Sequence, residues 1–192
     1  MRKILFLLAF AVFITTALRA QTPRAFSADV TSTMILPDGT SSVHRGREYC
    51  TADKVRVDDD QTGSIIFRQD KNVMWVLMPN GVYIEQSGGN TPVNPLNLPR
   101  KVSIGSETID GQMTDKYLAT AQGVQIYFWL ATGSGIPVRC ESQSPQQGEM
   151  IAQFSNVQLG EPSPAVFEIP AGYQKMDIGG AGMMNGLMNG AR

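Results

Sequence analysis

Val73-Met74-Trp75-Val76-Leu77-Met78 is a stretch of six residues with no polar side. Extended, it puts Val73, Trp75 and Leu77 on one face and Met74, Val76 and Met78 on the other, because side chains alternate along a strand. Val124-Gln125-Ile126-Tyr127-Phe128-Trp129-Leu130 reads similarly: Val124, Ile126, Phe128 and Leu130 share one face, and Gln125, Tyr127 and Trp129 the other. An ordinary antiparallel sheet has one wet face, so strands of this kind need cover on both sides. Burying one such aromatic side chain is worth roughly 1.5–3 kcal/mol. No segment after residue 20 carries the sustained 3.6-residue period of a long covering helix. The candidates for cover are the sheet closing on itself, the Gly/Pro/Asn-rich insert 87–99, the C-terminal tail, a ligand or a partner.

Short apolar or β-branched runs recur outward from these two stretches. Strands are expected at 26–36, 42–49, 54–58, 64–68, 73–78, 82–86, 102–109, 113–120, 124–131, 137–142, 150–159 and 166–169. Pro37-Asp38-Gly39 is a turn by its residue chemistry, and Asp70-Lys71-Asn72 and Pro79-Asn80-Gly81 are hairpin turns. Turns every 8 to 12 residues or so indicate an antiparallel sandwich or barrel. The fold class is all-β, with few or no helices. At the end of this region, Phe167, Ile169 and Tyr173 form an apolar set that fastens the chain's end, with Pro170 stopping the strand and Gly172 permitting a turn.

Ahead of the strands, Arg2 and Lys3 precede an almost unbroken apolar run over 4–18, and Ala20 offers a small residue before a cut that leaves Gln21 first. A membrane-spanning helix needs about 20 apolar residues, so residues 1–20 read as a cleavable secretory signal. The protein is therefore expected in the periplasm or outside the cell. Removing Arg2, Lys3 and Arg19 takes the Lys and Arg count from 16 to 13 against 17 Asp and Glu, a net charge of −4. With no stripe of cations to meet phosphates, nucleic acid is not an expected partner. Residues 21–176 suit one domain with its own core. Residues 177–192 repeat Met-Asn-Gly and place Gly182, Gly186 and Gly190 four apart. Their composition is that of a flexible tail, with a membrane- or partner-binding helix as the alternative.

The chain offers little to catalysis. Cys50 and Cys140, its two cysteines, cannot make a four-thiolate metal site and lack C-x-x-C spacing. In an oxidising compartment one structural disulfide is expected, the alternative being two buried free thiols. His44 is the single histidine. Gly133-Ser134-Gly135 lacks the spacing of a nucleophile elbow, and zinc would need further ligands. Asp58-Asp59-Asp60-Gln61-Thr62-Gly63 starts like a calcium loop, but Thr62 holds the fifth position, Gln69 the twelfth, and a strand follows where a helix is required. It reads as a solvated acidic turn. No cofactor, metal or enzymatic activity is expected.

Two stretches carry a resemblance. Lys54-Val55-Arg56-Val57-Asp58, then Asp70-Lys71 and Val73-Met74-Trp75 ending at Pro79, resembles the core of the outer-membrane lipoprotein carriers, the LolA-like proteins. Ile104-Gly105-Ser106-Glu107-Thr108-Ile109-Asp110-Gly111, Thr114-Asp115-Lys116-Tyr117, Gly135-Ile136-Pro137-Val138 and Phe167-Glu168-Ile169-Pro170-Ala171-Gly172-Tyr173 look like a secreted LolA-like domain family of unknown function. The resemblance implies a curved antiparallel sheet, an open half-barrel whose concave apolar face holds acyl chains in the carriers. It matches Arg56 to the carrier arginine near the cavity mouth and Trp75 to a wall residue. With Leu77, Phe128 and Trp129 from the two-sided strands, these make the expected ligand-binding set. The expected function is binding or carrying a lipid or a lipidated partner, with peripheral membrane contact open. The alternative is a non-enzymatic interaction protein of the envelope.

Overall fold

The two-residue period and the turn chemistry produce strands at every position expected up to residue 159. In the computed structural model, which describes residues 25–87, 94, 96, 101–121, 124–145 and 148–177, these are β1 (Ala25–Ile35), β2 (Ser41–Thr51), β3 (Lys54–Asp59), β4 (Gly63–Arg68), β5 (Val73–Leu77), β6 (Val82–Ser87), β7 (Val102–Ile109), β8 (Gln112–Ala121), β9 (Val124–Ala131), β10 (Pro137–Ser144) and β11 (Gly148–Leu159). The expected signal 1–20 and the tail beyond Asp177 lie outside the described residues. Asp110 and Gly111 both take positive φ, 48° and 80°, as a two-residue hairpin turn between twisted strands requires.

The end of the domain departs from expectation. In place of a strand at 166–169, Pro164–Phe167 form a single 3-10 turn. Pro164 explains it, since its fixed φ suits a first helical position. The chain then adds a two-residue strand, β12 (Gln174–Lys175), parallel to β6.

All twelve strands join one sheet in the order β12-β6-β5-β4-β3-β2-β1-β11-β10-β9-β8-β7, antiparallel except at β12. Residues 25–35 and 148–159 meet at its centre, so the two ends of the strand sequence close on each other while β12 and β7 remain open edges. Twist accumulates across so many strands, and an open sheet this wide curls. Bulges at Ser27/Asp29, Ser103/Gly105 and Pro137/Arg139 add to the bend. Where β2 crosses β3 the backbones approach closely: a Cβ on Gly46 would lie 1.7 Å from the Asp58 carbonyl oxygen.

Register sorts the side chains onto two faces. The inner face carries Phe26, Ala28 and Val30 of β1, Cys50 of β2, Val55 and Val57 of β3, Phe67 of β4, Ala152 and Phe154 of β11, Cys140 of β10, Phe128 of β9 and Ala119 of β8. These make two buried clusters that share Phe154. The outer face packs separately. Ile66, Trp75 and Leu77 lie beneath Phe167, with Val166, Ile169 and Tyr173 against them, so the C-terminal segment roofs β3 to β6.

Candidate functional site

The inner face is a continuous apolar surface spanning β8, β9, β10, β11, β1, β2, β3 and β4. One point of cover is described. Asn94 is buried and donates to the carbonyl oxygens of Thr51 (2.8 Å) and Ala52 (3.3 Å), and its own Oδ1 accepts from the Leu96 amide (2.8 Å). That arrangement sets Leu96 against Phe26, Ala28, Cys50 and Val55. Asn94 and Leu96 thus cover one end of the inner face, while the C-terminal segment covers the outer.

Charge divides between the faces. By register, every lysine and arginine on a described strand points outward: Arg45, Arg47, Lys54, Arg56, Arg68, Lys116, Arg139 and Lys175. Most find partners there. Arg68 is buried, pairs with Asp70 (2.7 Å) and Glu168, and donates to the Phe167 carbonyl at 3.1 Å, clamping the C-terminal segment to β4. Arg56 does the same through Val166 at 2.9 Å while bonding Asp58. Arg47 links Asp29, Ser27 and Gln158.

The inner face, by contrast, carries Glu48, half-buried between Ala28 of β1 and Val57 of β3. It has no hydrogen bond or ion pair among the described residues. Burial raises its carboxyl from the ordinary 4.5 to about 7. Both cysteines share this region. Cys140 is pushed up to about 12 by burial and then by the Glu48 charge, and Cys50 is raised by the same two causes in the same order.

The expected disulfide is not made: Cys50 and Cys140 are free, buried thiols. β1 and β11 stand between β2 and β10. Three strand steps of about 4.8 Å exceed the roughly 7 Å that bridged Cα atoms allow. The second alternative, two buried thiols, is the one observed.

The expected ligand-binding residues do not share one surface. Phe128 faces inward beside Cys140 and Tyr117. Arg56, Trp75, Leu77 and Trp129 face outward, where Trp75 and Leu77 form core beneath Phe167. The tryptophans occupy matching environments. Trp75 Nε1 donates to Glu85 at 2.9 Å, with Arg68 and Lys71 over its ring at 5.9 and 5.3 Å. Trp129 Nε1 donates to Glu107, with Lys116 at 4.3 Å and Arg139 at 5.6 Å. Sequence reasoning missed Glu48, although its two-residue spacing from Cys50 puts both on one face.

At the rim, His44 Nδ1 lies 3.1 Å from Asp59, and Asp60 completes a group whose ligand-type atoms fall within 4.8 Å of one another. Asp59 Oδ1 is already committed to the amides of Gln61 (2.9 Å) and Thr62 (2.8 Å), the arrangement of an acidic turn leading straight into β4.

No family model matches the sequence, and no curated protein matches it significantly. Among solved structures, the chain is similar to an uncharacterized conserved protein from Thermus thermophilus, at a TM-score of 0.56 and 11% identity over 82% of this chain and 91% of that one. It is also similar to a DUF1329 family protein from Desulfovibrio piger (TM-score 0.48, 12% identity, 78% and 91% covered). A LolA superfamily protein from Nitrosomonas europaea gives a TM-score of 0.42 at 14% identity, with 76% and 90% covered. At these identities the likeness concerns the fold alone. The fold is an unclosed, almost wholly antiparallel sheet, the open half-barrel expected from the sequence.

Proposed function

We propose that this is an exported, non-enzymatic envelope protein whose inner face binds an apolar ligand, a lipid or a lipidated partner. One observation carries the reading: a single apolar surface runs across eight strands of an open sheet, while all strand cations sit on the opposite face. The residues of its two clusters are themselves buried, so an occupant would gain from the half-buried apolar side chains packed at their margins, which it would remove from water. Half-buried Val57, Phe67, Ile126 and Phe154 supply the contact area. No helix among the described residues is long and apolar enough to cross a membrane.

The test is binding of a neutral hydrocarbon fluorophore, diphenylhexatriene, to the exported protein. It should bind at micromolar concentration, and Ile126→Asp should weaken binding at least about tenfold, because a charge enters apolar surroundings. Circular dichroism controls for folding. Absence of binding to folded wild type defeats the reading.

A second reading then takes over, that of an interaction protein. It rests on the open edge, where Val102 (59% exposed), Ile104 (45%) and, across the hairpin, Met113 (61%) stand in solvent on β7 and β8. An unpaired edge strand with exposed apolar residues is a site for another chain.

A further inference from the structure

We propose that Glu48 sets the specificity of the inner face, its carboxylate pairing with a cationic, hydrogen-bond-donating head on an otherwise apolar ligand. The class selected is the long-chain amine rather than the fatty acid. This rests on the apolar-ligand reading and narrows it.

Among the described residues nothing pairs with Glu48. Inner-facing side chains of β1, β4 and β11 are uncharged. β3 contributes Asp59, held by His44 of β2 and by its own turn. β8 contributes Asp115, bonded to Ser106, β10 contributes the Cys140 thiol, and Cys50 follows on β2 itself. Above, Asn94 is committed to Thr51 and Ala52. Among the described residues Lys101 stands on that side, over the Tyr117 ring of β8, five strands along the sheet from Glu48. The inner face is therefore apolar with carboxyl groups, and it disfavours an anionic head. A half-desolvated carboxylate without a partner is costly, and a cation brought by the ligand turns that cost into attraction. The raised carboxyl of Glu48 agrees with this: the charged form is expensive until it is paired.

The test is competition by dodecylamine and by dodecanoate against bound diphenylhexatriene near pH 8, with wild type and Glu48→Gln. Wild type should prefer the amine by about tenfold or more, and the preference should fall below about threefold in the variant, as expected for one charge-assisted contact. The wild-type affinity for dodecylamine should also fall about tenfold toward pH 5 as Glu48 takes a proton, while the variant stays flat. This second readout needs no comparison of stabilities. Equal competition in wild type, or a preference that survives in Glu48→Gln, overturns the role of Glu48 and leaves the apolar-ligand reading standing. Failure of diphenylhexatriene to bind overturns that reading and this inference with it.

Discussion

The two faces of the sheet treat their polar groups in opposite ways. Outside, Glu85 and Glu107 each accept an indole N–H and stand beside a lysine. The Lys175 and Trp75 bonds hold Glu85 below the usual carboxylate range, and the Trp129 bond does the same for Glu107. Inside, Glu48 has no such partner among the described residues, and burial moves it the other way. The outer face is completed by the chain's own residues, down to a C-terminal segment clamped by Arg68 and Arg56. On the inner face Glu48 finds no such completion among the described residues. On the proposed reading the outer face carries stability and the inner one recognition, and each variant below should disturb one without the other.

The largest effect is expected from Phe167→Ala. Phe167 is 1% exposed and seals Ile66, Trp75 and Leu77, and truncating a fully buried phenylalanine costs about 3–5 kcal/mol. Urea denaturation should show this loss, while diphenylhexatriene binding to the folded fraction changes less than about twofold, the two faces being independent. Probe binding lost in step with stability would show that the faces are one unit.

Glu48→Gln should act in the opposite direction. The folded carboxyl titrates at about 7 against an ordinary 4.5, so folding is opposed by its ionisation above that window. Below pH 4.5 the group is protonated in both states and costs nothing. As pH rises through 7 the wild type loses stability that the variant keeps. The variant should be more stable by about 1–3 kcal/mol near pH 8, the upper end reduced because the side chain keeps some solvent contact, with the gap closing toward pH 5. Equal stability at both pH values would place Glu48 in water and remove the contrast between the faces.

How much of this was readable depends on which strands must be related. Strand positions follow from local alternation and turn residues such as Pro37-Asp38-Gly39 and Asn80-Gly81, and these came out nearly residue for residue. The two-sided apolar character of β5 and β9 was also legible, but its causes differ. Phe167, some ninety positions along the chain, covers the outer side of β5. Over β9 the cations of Lys116 and Arg139 lie on Trp129. Parity within a strand cannot say which face is inner; that needs pairings such as Ile66 with Trp75 and Trp129 with Arg139. The cysteine pairing was inferred from the compartment and failed on strand order, because β11 is brought between the cysteines from the far end of the domain. Glu48 was passed over because a charged strand residue ordinarily faces water.

The smallest expected effect is the sharpest check on the outer face. Trp75→Phe and Trp129→Phe each keep an aromatic ring and its cations but delete one indole N–H, leaving Glu85 with Lys175 and Glu107 with Lys116. Since the carboxylate retains a cationic neighbour and reaches solvent, the hydrogen-bond part of each loss should be about 1 kcal/mol, and not the larger penalty of a stranded buried acceptor, with the lost ring burial added to it. The indoles themselves are 6% and 4% exposed, so both variants give up ring burial to the same extent. If the environments are equivalent, the two variants should lose stability equally within about 0.5 kcal/mol, as measured by urea midpoints at constant slope. A much larger loss at Trp75 would mean that the bond to Glu85 also positions Lys175 and β12, making the C-terminal clamp rather than the indole site the unit that holds this face together.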